Sequence, residues 1–156
     1  MRLFILRHGK SIEPTVNQSD IDRGLSKKGF KQIEKIGHYL TNFNVEAILS
    51  SSAKRTKLTT EGVNKYLKVK DVFYSENLYL ADVNTIHKNI VDLNSKKDLL
   101  FVGHNFGISQ LVTFYTGESI LLSTGMLAIV KFDFDSSEYF TEGTGRLIEL
   151  VSPKKI

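Results

Sequence analysis

Two histidines in this chain directly follow apolar segments of the kind that form buried strands. The segment "RLFIL" leads into Arg7 and His8, and "LLFV" leads, after one glycine, into His104. A neutral imidazole nitrogen is a nucleophile near neutral pH, and the planar fork of an arginine donates paired hydrogen bonds to phosphate oxygens. These residue types predict phosphoryl transfer, in which His8 attacks phosphorus and becomes a phosphohistidine.

A second arginine, Arg55, stands in the segment "SSAKRTKLTTEG" that follows the apolar run "EAILS". A helix beginning near Ser52 would hold Arg55 in its first turn, where free backbone amides and the helix dipole already favour an anion. Arg7, Arg55 and a protonated His104 would then stabilise the negative charge of the transferred group. This scheme requires no cofactor and no metal, and no ligand-like spacing surrounds the remaining histidines, His38 and His87.

These side chains can meet only if the fold brings the ends of their strands to one edge of a sheet. Strand-like and helix-like runs alternate, which predicts a three-layer α/β fold with a central, mostly parallel sheet flanked by helices. The strand candidates are "RLFIL", "EAILS", "VFY", "LLFV", "LAIVKFDF" and "GRLIELV". No helix separates the last two, so we expect a C-terminal antiparallel pair. In such sheets, ligands bind where neighbouring connections leave to opposite faces.

Four helices are expected, the first in the segment "SKKGFKQIEKIGHYLTNF" and the others at about 52–67, 83–94 and 106–116. Ser26 is a suitable N-cap for the first helix. Its predicted buried face contains Phe30, Ile33, Leu40 and Phe43.

Composition limits the class of protein. The 156 residues, 41% of them hydrophobic, are enough for one core, and we expect a single domain over residues 1–156. The absence of cysteine, of an export signal and of a long apolar segment favours a cytoplasmic protein that does not enter a membrane. The net charge of +4 favours anionic partners, but no basic stripe indicates nucleic acid.

Three separated motifs, "LRHGKS", "SSAKRTKLT" and "VGHN", resemble the signature of the histidine phosphatase superfamily, which includes the cofactor-dependent phosphoglycerate mutases. The resemblance to the small SixA-type phosphohistidine phosphatases is closer and covers nearly the whole chain. It includes "SDIDRGLSKKG", "LYLAD", "STGMLAIVKFD" and "GTGRLIELVSPK". The resemblance implies a phosphoglycerate mutase-like fold, with His8 as the nucleophile and Arg7, Arg55 and His104 around the phosphate.

Many superfamily members carry long helical insertions that cover the pocket and supply an acid, and no segment here is long enough for such a lid. An open pocket would admit a side chain of a folded protein, and phosphohistidine has a good leaving group that needs little help from an acid. We therefore expect a metal-independent phosphatase acting on phosphohistidine of a protein, such as a histidine-containing phosphotransfer domain in a signalling relay. The pocket should also accept phosphate or sulfate.

Two other functions stay open. A broad-specificity phosphomonoesterase would need a proton donor, for which Asp82 is the nearest candidate, although its position favours the role of N-cap for the helix at about 83–94. A non-catalytic module that only binds phosphohistidine is the other, and it could dispense with the nucleophile.

Several residues near the motifs fit two alternative roles each. Lys10 and Ser11 either touch the substrate or cap the next turn. Asp20, Asp22 and Arg23 either line the pocket or hold their loop through a charge pair, and Asn105 either orients His104 or caps the following helix.

Overall fold

The computed structural model describes residues 1–156 and contains six strands in one sheet. They are β1 (Arg2–Arg7), β2 (Ala47–Ser51), β3 (Asp71–Ser75), β4 (Leu99–Gly103), β5 (Leu127–Phe132) and β6 (Gly145–Val151). The order is β3-β2-β4-β1-β5-β6, parallel from β3 to β1 and antiparallel from β1 through β5 to β6. The predicted mostly parallel sheet with a C-terminal antiparallel pair is confirmed.

Four helices cover the two faces of this sheet. They are α1 (Lys27–Leu40), α2 (Lys54–Leu67), α3 (Val83–Asp92) and α4 (Gly107–Thr116). Successive side chains of a strand point to opposite faces. In β1, Leu3 and Ile5 accordingly lie in the same apolar cluster as α3 and α4, whereas Phe4 and Leu6 lie in the cluster of α1 and α2. The predicted three-layer architecture is therefore confirmed.

The first helix begins as predicted and buries Ile33 and Leu40 as expected, but it does not bury Phe30. The Ser26 hydroxyl caps it by accepting a hydrogen bond from the backbone N–H of Gly29. Ile33 is buried, but Phe30 is 50% exposed, so its expected place in the core is wrong. The reason is that Gly29 contacts the backbone of Lys10 so closely that a Cβ there would lie 2.2 Å from the Lys10 carbonyl oxygen. This contact fixes the rotation of α1 and turns the next residue outward.

The ends of β1 and β4 create the crevice that holds the candidate site. These neighbouring strands are parallel, and the chain leaves β1 toward α1 on one face and β4 toward α4 on the other. Connections that diverge in this way leave a gap at the carboxyl ends of the strands. None of the helices is long and apolar enough to cross a membrane.

Candidate active site

A cavity of about 430 Å³ occupies this crevice. Its lining is almost entirely polar: Arg7, His8, Lys10, Ser11, Asp20, Arg23, Arg55, Leu80, His104, Asn105 and Thr124. Four of these side chains are cationic and one is a carboxylate, so the cavity attracts anions. No group of three or more His, Asp or Glu side chains in residues 1–156 is arranged to hold a metal ion.

His8 lies at the end of β1 and is only 6% exposed. Its Nδ1 lies 2.8 Å from the carbonyl oxygen of Gly9. Because a carbonyl only accepts hydrogen bonds, Nδ1 carries the ring proton and Nε2 keeps its lone pair. Burial, opposed by the Gly9 hydrogen bond and aided by the nearby charges of Arg55, Arg7 and Arg23, lowers the pKa of His8 to about 4. His8 is therefore neutral at pH 7, the form that a nucleophile requires.

His104, at the end of β4, lies beside His8, and the two ring centroids are 5.2 Å apart. Its Nε2 is 2.9 Å from the hydroxyl of Ser51, while its Nδ1 is buried without a partner. Burial, followed by His8 and Arg55, lowers the pKa of His104 to about 3. The free site therefore disfavours the protonated His104 that the sequence predicts for the transfer step, first because the ring is buried and then because it lies beside His8 and Arg55. An oxyanion in the cavity would counter this effect by favouring the charged imidazole.

Arg55 lies in the first turn of α2, as the sequence predicts, and is 4% exposed. Its two terminal nitrogens donate to Asp20, Nη1 to the carbonyl oxygen at 2.7 Å and Nη2 to Oδ2 at 3.0 Å. The hydrogen bond from Tyr79, followed by those from Arg23 and Arg55, holds the pKa of Asp20 far below its usual range. Asp20 therefore stays ionised and orients the guanidinium of Arg55.

The guanidinium of Arg7 is held from the opposite side of the cavity. Its Nη1 donates to the carbonyl oxygen of Leu122 at 2.8 Å, and the Asn105 amide donates to the same oxygen at 2.9 Å. The Ser109 hydroxyl in turn donates to the Asn105 side chain and accepts from the Leu122 N–H. Arg7 keeps a buried Nε with no partner. Asn105, left outside the predicted catalytic set, therefore shares an anchor with Arg7.

The three residues predicted to contact substrate are placed differently from one another. Lys10 and Ser11 line the cavity, and the Ser11 hydroxyl accepts a hydrogen bond from Arg23 Nη2 at 2.8 Å. Asp82 is not among the lining residues. Its carboxylate accepts from the Thr85 N–H at 2.8 Å, which is the N-cap of α3. Of its two predicted roles, the cap is the one observed.

Sequence reasoning missed two residues that support the histidines and arginines. Ser51 is the last residue of the buried strand β2. A polar residue at the end of a buried strand, just before the Arg55 motif, is a sequence signal that could have placed Ser51 in the site. Tyr79 packs the edge of its ring on His104, with centroids 5.5 Å apart, and donates its hydroxyl hydrogen to Asp20. No local pattern marks Tyr79, since both contacts depend on the tertiary fold.

Comparisons with known proteins point to one superfamily. The model of the histidine phosphatase superfamily (branch 1) matches residues 3–79, which is about half of the chain. A curated relative, an uncharacterized chloroplastic protein of Arabidopsis thaliana, is 29% identical over 172 residues that cover 97% of this chain and 78% of the relative.

Solved structures extend the likeness across the whole fold. The protein histidine phosphatase SixA complexed with tungstate has a TM-score of 0.85 and 24% identity, over 99% of each chain. SixA from Agrobacterium tumefaciens has a TM-score of 0.85 and 25% identity over 97% of each chain. SixA from Nakamurella multipartitia has a TM-score of 0.87 and 19% identity, over 97% of this chain and 95% of its own. The chain belongs to the histidine phosphatase superfamily and is an enzyme of the phosphatase type.

Proposed function

We propose that this enzyme removes phosphate from phosphohistidine on a protein partner, without a metal, through a covalent intermediate on His8. The observation that carries the proposal is the state of His8 itself. Its imidazole is neutral, its Nδ1 proton is held by the Gly9 carbonyl, and its Nε2 lone pair is free in a cavity that Arg7 and the buried Arg55 also line. A nucleophile prepared in this way would have no use in a module that only binds.

The proposed reaction has two steps. His8 Nε2 attacks phosphorus and a new N–P bond forms, while the N–P bond of a substrate ring that is protonated on its other nitrogen breaks and releases neutral imidazole. Water then attacks the phosphorylated His8, which returns Nε2 with its lone pair and releases inorganic phosphate. Arg7 and Arg55 donate hydrogen bonds to the equatorial oxygens in both steps, and they need no reorganisation because Leu122 and Asp20 already hold them.

The lack of a protonated carboxyl group in the cavity favours phosphohistidine over phosphomonoesters as the substrate. Asp20 is the only carboxylate in the cavity lining, and it is ionised and occupied by two arginines and Tyr79. Asp82 lies outside the lining, and its hydrogen bonds with Thr85 lower its pKa. An alkoxide leaving group would find no acid, whereas an imidazole that is already protonated on its other ring nitrogen leaves readily without one.

The surroundings of the cavity suit a protein substrate such as a histidine-containing phosphotransfer domain. No helical insertion covers the crevice, so a phosphorylated side chain of a folded protein can reach His8. The related SixA binds tungstate, an oxyanion. We propose that phosphate and sulfate bind this cavity in the same way, and that the enzyme works in the cytoplasm.

The test is phosphate release from a phosphorylated histidine-containing phosphotransfer domain, with EDTA present throughout. Wild type, His8→Ala and His38→Ala are compared, since His38 is an exposed histidine on α1. We expect release by wild type and His38→Ala, and a loss of at least about a thousandfold in His8→Ala. If neither wild type nor His8→Ala releases phosphate while both bind the phosphorylated domain, the chain only binds phosphohistidine and the proposal fails.

The other alternative is a small-molecule phosphomonoesterase, and leaving groups distinguish it. Hydrolysis of simple alkyl phosphates at rates comparable with phosphohistidine would require a proton donor that the cavity lining lacks. Such a result would replace the proposed substrate class while leaving the role of His8 intact.

A further inference from the structure

Large apolar side chains stand exposed on one side of the cavity mouth. Leu80 is 54% exposed, Phe106 is 70% exposed and Leu121 is 67% exposed. A single exposed apolar residue needs no explanation, but neighbouring ones at the mouth of a polar site mark an interaction surface. We call these three residues the apolar rim.

Backbone contacts show that the residues of the apolar rim lie on neighbouring segments of the chain. Leu80 itself lines the cavity. The next carbonyl, that of Ala81, lies 2.1 Å from the position that a Cβ on Gly107 would take, so the segment after Leu80 touches the start of α4 beside Phe106. Leu121 precedes the carbonyl of Leu122, which accepts a hydrogen bond from the Asn105 amide at 2.9 Å. The segments that carry the three apolar side chains therefore meet next to Asn105, which lines the cavity.

The opposite side of the mouth is basic. Lys10 lines the cavity, and its carbonyl accepts hydrogen bonds from the N–H and the hydroxyl of Ser26, which caps α1. Lys27 and Lys28 follow in the first turn of α1, are exposed and form no ion pair. Cations at the positive end of a helix dipole are unfavourable in isolation, and a negatively charged partner would reverse that penalty. We call Lys10, Lys27 and Lys28 the basic rim.

The topology explains why the two rims face each other across the cavity. The chain leaves β1 toward α1, which carries Lys27 and Lys28 of the basic rim, and leaves β4 toward α4, which begins beside Phe106. Because these two connections diverge to opposite faces of the sheet, the cavity opens between them.

We propose that the two rims together dock the protein that carries the phosphorylated histidine. This inference rests on the proposed function, because the occupant must insert a phosphoryl group between the rims. The partner protein then carries apolar side chains on the side of its phosphohistidine that contacts Leu121. It carries acidic side chains on the side that contacts Lys27. A free phosphohistidine fills the cavity alone and does not reach Leu121, Lys27 or Lys28, which lie outside the cavity lining.

The experiment compares two substrates, free phosphohistidine and a phosphorylated histidine-containing phosphotransfer domain. The variants are Leu121→Asp for the apolar rim and Lys27→Glu/Lys28→Glu for the basic rim. Matched controls are Ile148→Asp, at a 50% exposed position on β6, and Lys65→Glu, at an exposed position in the last turn of α2. Thermal unfolding of each variant verifies that it is folded.

We expect each rim variant to lower kcat/KM for the protein substrate at least about tenfold, with turnover of free phosphohistidine within about twofold of wild type. The controls should change neither. Equal losses on both substrates, no loss on either, or a wild type that hydrolyses only free phosphohistidine would overturn the docking proposal. So would a dimer that Leu121→Asp dissociates, since a second copy would then cover the rim. Failure of the proposed function is distinct, because wild type would then hydrolyse neither substrate.

Discussion

Two regions of this enzyme differ in whether their buried polar atoms have hydrogen-bond partners. The first is the cavity at the ends of β1 and β4. The second is an aromatic core under α4, formed by Tyr115, Phe132 and Phe140, none of which is more than 1% exposed. Phe132 and Phe140 stack with centroids 3.6 Å apart, and the ring of Tyr115 meets Phe132 edge-on at 5.1 Å. The only polar atom of these three side chains, the Tyr115 hydroxyl, is paired with His87.

The cavity leaves polar groups unpaired where the aromatic core pairs them. Arg7 Nε and His104 Nδ1 are buried without partners, and the pKa values of His8 and His104 are both lowered. Unpaired buried polar atoms cost stability, whereas stacked aromatic side chains contribute it. The difference indicates that the core holds the fold together, and that the cavity gives up stability to keep hydrogen-bond donors ready for an anion.

The largest effect should come from the aromatic core. Phe132→Ala removes a stacked ring from a fully packed site, and we expect a loss of about 4 kcal/mol in the free energy of unfolding. Phosphate release per folded molecule should stay unchanged. Chemical denaturation measures the free energy of unfolding, and an activity assay on the folded protein measures the release. Phe134→Ala, at a 36% exposed position, is the control and should cost far less. A large loss of activity in folded Phe132→Ala would contradict the assignment of stability to the aromatic core and of activity to the cavity.

The cavity histidines should make stability depend on pH. His8 has a folded pKa of about 4 against 6.5 in the unfolded chain, so between these values the unfolded chain binds the extra proton. The free energy of unfolding is therefore complete above pH 6.5 and falls as the pH drops toward 4, by about 3 kcal/mol for this one group. His8→Gln should show a shallower fall in denaturation measured across that range. Equal pH dependence in the two proteins would contradict the assigned burial of His8.

Arg55 should matter for turnover more than for folding. Arg55→Lys keeps the charge but loses the fork that spans the carbonyl and carboxylate of Asp20, so kcat/KM for phosphohistidine should fall about a hundredfold. Inorganic phosphate should also raise the melting temperature of the variant less than that of wild type. Arg146→Lys, at an exposed position on β6, is the matched control. A wild-type response from Arg55→Lys would mean that the guanidinium does not bind the phosphoryl group.

The smallest effect should be at Asp82. Asp82→Ala removes the N-cap of α3 and should lower the melting temperature by about 3 °C, whereas Asp82→Asn keeps an equivalent cap. Neither substitution should change the hydrolysis of phosphohistidine or of a phosphomonoester. If Asp82→Asn selectively abolishes phosphomonoester hydrolysis, Asp82 is a proton donor and the proposed substrate class has to be revised.

Local patterns predicted most of the fold because they depend on neighbours in sequence. Ser26 caps α1 as predicted, because capping requires only a hydroxyl three residues from a free N–H. The alternation of Leu3 and Phe4 between two faces follows from the geometry of any strand. Phe30 was misassigned because the rotation of α1 is set by the close approach of Gly29 to Lys10, a contact that helical periodicity does not contain.

The sequence by itself determined the order of the motifs and the chemistry at each strand end, since apolar runs that stop at His8 and His104 are local facts. Only the tertiary structure decided the charge of His104, because its pKa depends on burial and on His8 and Arg55, which are distant in sequence. It also decided that Asp20 holds Arg55 and that Asn105 shares an anchor with Arg7. Burial and hydrogen bonding between distant segments exist only once the chain has folded, which is why no motif predicted them.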